Sequence, residues 1–277
     1  MRDFDMSYYN VYYYCNILDN LLYLFNSSID WASTAAQFKD SFYEDDVPNF
    51  PKYSALHTFC DYAIRQLIWE EDQKELDVIG KRYNDEHAKS LDRVDRLKYA
   101  FSGDYKNEQR LWIDRLLHNY GQNNQSFYSY IRDRNFEYFD DEYDEFVFLN
   151  GEYDDAVSNL TRELFYVLFQ NRDFLYRFNC YLANSESNFD RCSIPSWVKK
   201  VVKYRDKGKC VCCGKDLSGL LDYEDDNSIH FDHIVSLKNG GLNDVTNIQL
   251  MCRDCNLKKS SSSYTNIRYK DWYDMDI

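Results

Sequence analysis

Two Cys-x-x-Cys pairs near the C-terminal end constrain this chain more than any other feature of its sequence. The first pair is Cys210 and Cys213, and 38 residues separate it from the second pair, Cys252 and Cys255. Tetrahedral zinc takes four thiolates in this pattern, each pair forming a tight turn around the metal. Gly214, directly after the first pair, suits such a turn. The sequence therefore predicts one zinc ion bound by these four cysteines.

The predicted zinc site is structural, because four thiolates leave no open position for water. The second pair lies where a helix should start, because the segment RDCNLKKS, which includes Cys255, has no helix breaker. A zinc knuckle followed by a second knuckle at a helix N-terminus is the treble-clef arrangement. Cys212 is expected to be a spare thiol. The scattered cysteines are expected to be small buried hydrophobes; they are Cys15, Cys60, Cys180 and Cys192.

The first 189 residues predict an all-helical domain. They contain only two prolines, Pro48 and Pro51, and four glycines. Apolar residues recur there at helical spacing, which predicts about six to eight helices. The many tyrosines, 26 in the chain, are expected mainly to pack between helices. We place a domain boundary between residues 189 and 190, followed by a short basic helix that begins near Pro195 and ends before Gly208.

Charge is distributed unevenly along the chain. The net charge is −14, while residues 190–277 hold 14 Lys and Arg against 13 Asp and Glu, so residues 1–189 carry −15. An acidic helical domain is a poor nucleic-acid binder by itself, although a plain solvated surface gives the same bias. No 18-residue apolar run exists, and MRDFDMSYYN lacks the pattern of a signal peptide. We therefore expect a cytoplasmic protein that does not interact with a membrane.

The segment HFDHIVSLKNGGLNDVTNIQLMCRDCNLKK, His230 to Lys259, resembles the zinc-bound form of the HNH nuclease motif. The shared elements, in order, are Asp232, His233, Ile234, Gly240, Gly241, Asn247, Ile248, Gln249, Cys252, Cys255, Asn256 and a following lysine. The resemblance covers about residues 195–265 and implies the ββα-metal fold of that family. Ser236 stands where family members often have proline. The preceding 190 residues resemble no family.

The resemblance implies a role for each motif residue in phosphodiester hydrolysis, which needs an activated water, a cation and an anchor for the phosphate. His233 would be the general base, since imidazole titrates near neutrality. Asp232 and Asn256 would bind a catalytic Mg²⁺ or Mn²⁺ through hard oxygens. Asn247 would orient His233 through backbone or side-chain hydrogen bonds.

Several further residues are candidates for contact with nucleic acid. His230 shares a strand face with Asp232 and is either a second ligand, a phosphate contact or a structural residue. The basic candidates are Lys203, Arg205, Arg253, Lys258 and Lys259. For these the alternative is a solvated helix surface.

The leading hypothesis is a metal-dependent DNA endonuclease of a bacterial defence system. The helical domain would regulate it, deliver it, dock a protein partner or form a homodimer. One alternative is a zinc module that binds nucleic acid or protein without cutting. Another is an RNA-directed nuclease, because phosphate hydrolysis uses the same groups on both polymers.

Overall fold

The computed structural model describes residues 6–24, 30–43, 47–121, 125–184, 189–219 and 229–268. Within these ranges the chain forms twelve α-helices and one two-stranded sheet, which confirms the predicted, mainly helical fold with a small C-terminal αβ module. The helices before residue 189 are α1 Val11–Leu24, α2 Asp30–Phe42, α3 Ala55–Tyr83, α4 Glu86–Lys89, α5 Arg93–Phe101, α6 Trp112–Tyr120, α7 Phe127–Arg132, α8 Phe139–Leu149, α9 Gly151–Leu168 and α10 Arg172–Leu182. No helix of the described part is long and apolar enough to cross a membrane.

The sequence underestimated the number of helices because two of the ten are very short. Helix α4 has four residues and α7 has six, too few to show an apolar period. Both are set by side-chain caps: Asp85 accepts a hydrogen bond from the Ala88 amide, and Ser126 accepts one from the Ser129 amide. Such caps satisfy the amides that a helix start leaves open.

The chain divides into two compact units, each made of two separate segments. One unit comprises Met1–Tyr14 and Cys60–Leu164, and the other comprises Cys15–Phe59 and Phe165–Ile277. The second unit thus includes segments that precede residue 189. The boundary at 189/190 stays a prediction, and residues 185–188 beside it lie outside the described ranges.

A buried carboxylate organises the first unit. Asp72 of α3 accepts hydrogen bonds from the amides of Trp112 and Ile113, at 2.5 and 3.0 Å, and from the Tyr143 hydroxyl at 2.8 Å. The Asp72 carboxylate accepts from the first amides of α6. This end of the helix suits a negative charge, because its unpaired amides give it a partial positive charge. Burial nevertheless raises the pKa of Asp72 to about 7.

The C-terminal part of the second unit contains α11 Ser196–Arg205, strands β1 Ile229–His233 and β2 Ile248–Cys252, and α12 Arg253–Lys259. The strands pair antiparallel, with Asp232 opposite Gln249 and His233 opposite Ile248. The end of α11 is tied to β2, since Asp206 accepts from the Leu250 amide at 2.9 Å. This strand, strand and helix order is the one the sequence predicted.

The loop between β1 and β2 is held by residues that precede position 190. The Phe50 amide donates to the Asn243 carbonyl at 2.7 Å, and the Ala55 amide donates to the Asp244 carboxylate at 2.9 Å. Further along, Asn179 of α10 donates to the Thr246 carbonyl at 3.1 Å. The loop therefore depends on partners from the helical part of the same unit.

Candidate active site and zinc centre

The four predicted cysteines lie together. Their sulfur atoms all lie within 4.8 Å of one another, and the Cys213 and Cys252 sulfurs are 3.8 Å apart. Tetrahedral zinc with Zn–S bonds of about 2.3 Å separates its ligands by about 3.8 Å. The cluster therefore supports the predicted structural zinc, with Cys210 and Cys255 completing the ligand set. Among the described residues, it is the one group of this kind.

Local backbone geometry explains why the cysteines converge. Gly214 adopts a positive φ of 78°, and its amide returns to the Cys210 carbonyl at 2.8 Å, which closes the first knuckle. Cys252 is the N-cap of α12, so the second pair lies at a helix start as predicted. Hydrogen bonds from the Cys212 thiol and from backbone amides lower the pKa of Cys210, which favours the thiolate that zinc binds. Cys212 itself is not one of the four clustered residues.

Strand β1 and helix α12 face each other through two pairs of side chains. His230 Nδ1 lies 3.2 Å from Asn256 Nδ2, and Asp232 Oδ2 lies 2.8 Å from Lys259 Nζ. His230 and Asp232 are two positions apart and therefore lie on one face of β1. Asn256 and Lys259 are three positions apart and therefore lie on one face of α12. The zinc knuckle at the start of α12 fixes this alignment.

His233 is held by a side chain that sequence reasoning missed. Its Nε2 atom lies 3.0 Å from Asn243 Oδ1. The Asn243 Nδ2 group donates to the Asp190 carbonyl at 2.9 Å and to Asn49 Oδ1 at 2.7 Å. A carbonyl oxygen can only accept, so the amide orientation of Asn243 follows, and its Oδ1 must accept from His233.

The orientation of Asn243 fixes the tautomer of His233. The Nε2 atom carries the proton and donates it to Asn243, so the Nδ1 atom keeps its lone pair. Burial lowers the pKa of His233 from its ordinary value, and the hydrogen bond that His233 donates to Asn243 opposes this shift. The imidazole is therefore mainly neutral at pH 7, with Nδ1 able to accept a proton.

Replacing Asn243 by alanine is expected to lower any activity that uses His233 as a base by about 10- to 100-fold, because a misplaced base loses rate steeply. The tautomer should also change, since Nε2–H loses its acceptor. Nitrogen NMR shifts of the His233 ring measure the tautomer directly. Asn239→Ala is the matched control, because Asn239 is exposed and bonds to Ser261 and Ser263. An unchanged ring spectrum in Asn243→Ala would rule out this positioning role.

Asn247 contacts the backbone that follows His233 rather than the imidazole. Its Oδ1 accepts from the Val235 amide at 2.8 Å, and its Nδ2 donates to the carbonyls of Val235 and Leu242 at 3.0 and 2.8 Å. Its own carbonyl accepts from the Ile234 amide at 2.6 Å. Gly241 permits this close loop, since a Cβ there would lie 2.0 Å from the Val235 oxygen. Asn247 thus fixes the loop that starts at His233, and its predicted catalytic role stays a proposal.

Four residues of the motif line one cavity of about 730 Å³. Its walls include His230, Asp232, His233 and Asn256. The cationic residues of its lining are Arg191, Lys199 and Lys238. Asp232 is the single acidic residue among the described lining residues, so the walls carry an excess of positive charge. Such a cavity suits an anion like a phosphodiester.

The predicted nucleic-acid contacts separate into exposed and buried groups. Arg253 and Lys258 lie exposed on α12. Lys203 donates to the Ser218 carbonyl at 3.1 Å. Arg205 is buried, paired with Asp206 at 2.9 Å and bonded to the Ile248 carbonyl at 2.6 Å, so it supports the fold where the sequence suggested a surface cation. Lys259 is likewise buried, against Asp232.

Residues 210–262 match the model of the family described as HNH endonuclease. The C-terminal segment is therefore an HNH domain. The match covers about a fifth of the chain and includes both cysteine pairs, β1, β2 and α12. Neither a curated protein nor a solved structure matches the chain significantly. The family supports nuclease activity in general and a nucleic-acid substrate.

The HNH site fits a divalent cation by the chemistry of its donors. Asp232 Oδ2 is buried against Lys259, which leaves Oδ1 as the carboxylate oxygen toward the cavity. Asn256 turns its Nδ2 toward His230, which leaves its amide oxygen for a ligand. Hard oxygens of this kind suit Mg²⁺ or Mn²⁺. His230 Nε2 is buried and has no hydrogen-bond partner within the described ranges, a costly arrangement that a bound ligand would relieve.

A polypeptide of residues 190–277 alone is expected to be less active than the full chain. It lacks Asn49, which bonds to Asn243, and Phe50, Ala55 and Asn179, which hold the β1–β2 loop. Loosening a loop that positions a base costs about 10²-fold in rate. Comparing cleavage by the two proteins at equal zinc content tests this. A fragment that cuts faster would show instead that the helical part restrains the HNH domain.

Proposed function

We propose that this protein is an HNH endonuclease that hydrolyses phosphodiester bonds of DNA with one divalent cation. The observation that carries the proposal is the contact between His233 Nε2 and Asn243 Oδ1, which leaves Nδ1 as an acceptor on a ring that lines the same cavity as Asp232 and Asn256. A neutral, oriented imidazole beside hard oxygen donors is what metal-assisted hydrolysis needs.

In the proposed reaction, His233 Nδ1 takes a proton from a water molecule as it attacks the scissile phosphorus. The bond from phosphorus to the 3′ oxygen breaks, and that oxygen takes a proton from solvent. When bound, a Mg²⁺ or Mn²⁺ ion would stabilise the charge on the phosphate and on the leaving oxygen. Asp232 and Asn256 would hold that ion, and the cations of the cavity wall would draw in the phosphate. His230 would donate from Nε2 to a phosphate oxygen, since its Nδ1 faces the Asn256 amide. The expected products carry 5′-phosphate and 3′-hydroxyl ends.

We also propose that the helical residues 1–189 regulate or deliver the nuclease. Their charge of −15 disfavours free encounter with nucleic acid, which supports a need for a partner or a trigger. A defence function and a homodimer remain predictions from the combination of a nuclease with such a part. A cytoplasmic location remains a prediction from the sequence.

Digestion of DNA and RNA side by side tests the proposed substrate. Zinc-loaded protein is incubated with Mg²⁺ or Mn²⁺ and with duplex DNA, single-stranded DNA, duplex RNA or single-stranded RNA. Metal-dependent cutting of DNA with 5′-phosphate ends supports the proposal. Cutting restricted to RNA would show that the substrate is RNA and not DNA. Binding without cutting, for every polymer and both metals, would favour the non-catalytic zinc module.

A further inference from the structure

We infer that Lys259 makes binding of the catalytic cation depend on the arrival of a nucleic-acid phosphate. The inference rests on the proposed function, because it concerns the cation of the same site. Its starting point is a buried lysine that the proposed hydrolysis does not use.

Lys259 neutralises the carboxylate that would bind the cation. Its side chain is 2% exposed, and Nζ lies 2.8 Å from Asp232 Oδ2. Among the described residues Nζ has no hydrogen-bond partner of good geometry, so Asp232 is its single close counter-charge. A buried charge that loses its partner is strongly unfavourable. The pair should therefore persist when a ligand enters, with Asp232 Oδ1 turned to the cavity.

The charge around the site disfavours a free divalent cation. Asp232 supplies the one negative charge of the described cavity wall, and Lys259 cancels it from behind. Arg191, Lys199 and Lys238 add positive charge to the wall. A divalent cation entering alone meets net repulsion from the described part of the wall, whereas a phosphodiester brings negative charge. Cation and phosphate should therefore bind with positive cooperativity, each raising the affinity for the other equally.

Lys259 rather than the exposed lysines sets this coupling. Lys258, its neighbour on α12, is exposed and screened by solvent. Lys259 lies inside, where charges interact more strongly because the effective dielectric constant is lower. Replacing Lys259 by glutamine removes the charge and keeps a donor for Asp232. Lys258→Gln removes the same charge from the same helix and is the matched control.

Mn²⁺ titrations followed by electron paramagnetic resonance test the inference without reading activity. All proteins are full-length and zinc-loaded and carry His233→Ala to prevent cleavage, and each is titrated with and without duplex DNA. An additional Asp232→Asn protein gives the baseline for sites elsewhere on the acidic chain. Zinc content and far-UV circular dichroism check the fold of every variant.

We expect DNA to raise the Mn²⁺ affinity of the parent by about tenfold or more. Lys259→Gln should bind Mn²⁺ about tenfold more tightly without DNA and gain less from added DNA than the parent does. Without DNA, where contact with phosphate plays no part, Lys258→Gln should bind Mn²⁺ as tightly as the parent. Equal Mn²⁺ affinity of the parent with and without DNA would overturn the inference, and this measurement needs no lysine variant to fold.

The outcomes separate failure of the inference from failure of the proposed function. Mn²⁺ binding that requires Asp232 but is the same in the Lys259→Gln and Lys258→Gln proteins would refute the role of Lys259 and keep the cation site. No Asp232-dependent Mn²⁺ binding in any protein, with or without DNA, would refute both the coupling and the proposed cation site.

Discussion

Replacing His233 by alanine is expected to slow phosphodiester cleavage by about 10²- to 10⁴-fold, the usual contribution of a positioned general base. The ring is the group whose Nδ1 is free for a water molecule, because Nε2 is committed to Asn243. The rate constant of a single turnover with saturating protein isolates this step from binding and product release.

The controls for this prediction separate chemistry from folding. Zinc content should stay unchanged, since the zinc ligands are the four clustered cysteines. His118→Ala serves as a matched control, because His118 is exposed on α6 in the other compact unit. If His233→Ala cuts as fast as His118→Ala, then His233 is not the base and the assignment of the site is wrong.

Replacing Cys252 by serine is expected to abolish zinc binding and unfold the HNH domain. Cys252 ends β2 and caps α12, so its loss disconnects the strand from the helix that carries Asn256 and Lys259. Structural zinc contributes on the order of 10 kcal/mol to the folding of small domains, more than such a domain can otherwise supply. Zinc per chain and limited proteolysis after residue 190 measure the two effects, and chelation of the wild-type protein should reproduce them.

Cys212→Ser is the matched control for the zinc prediction. Cys212 adjoins the first knuckle but is not among the four clustered residues, so the variant should keep one zinc per chain. Loss of zinc from Cys212→Ser together with retention in Cys252→Ser would mean that the ligand set is not the one described.

The zinc frame could be predicted from sequence because its signal is local. Cysteine spacing, Gly214 and an uninterrupted helical segment each act over a few residues, and the motif places Asp232 and His233 in a strand before that helix. The short helices α4 and α7 could not be predicted, since they depend on single caps rather than on an apolar period.

The positioning of His233 could not be predicted, because it depends on tertiary contacts. Asn243 lies ten positions beyond His233, and its orientation is set by Asn49, which is 194 positions away. Neither residue stands out by type or spacing. The burial of Arg205 and Lys259 was missed for a similar reason. A basic run predicts a solvated face, and only the folded chain brings the Ile248 carbonyl against Arg205 and Asp232 against Lys259.

The most direct test of the central claim is cleavage of a supercoiled plasmid by full-length, zinc-loaded protein with Mg²⁺ or Mn²⁺, run beside Asp232→Asn and an EDTA-quenched control. We predict relaxed or linear product with the wild-type protein, and strong loss of product in Asp232→Asn and after the quench. Equal cutting by wild type and Asp232→Asn, or no cutting by the wild type with either metal, would contradict a free-standing, cation-dependent DNA nuclease at this site.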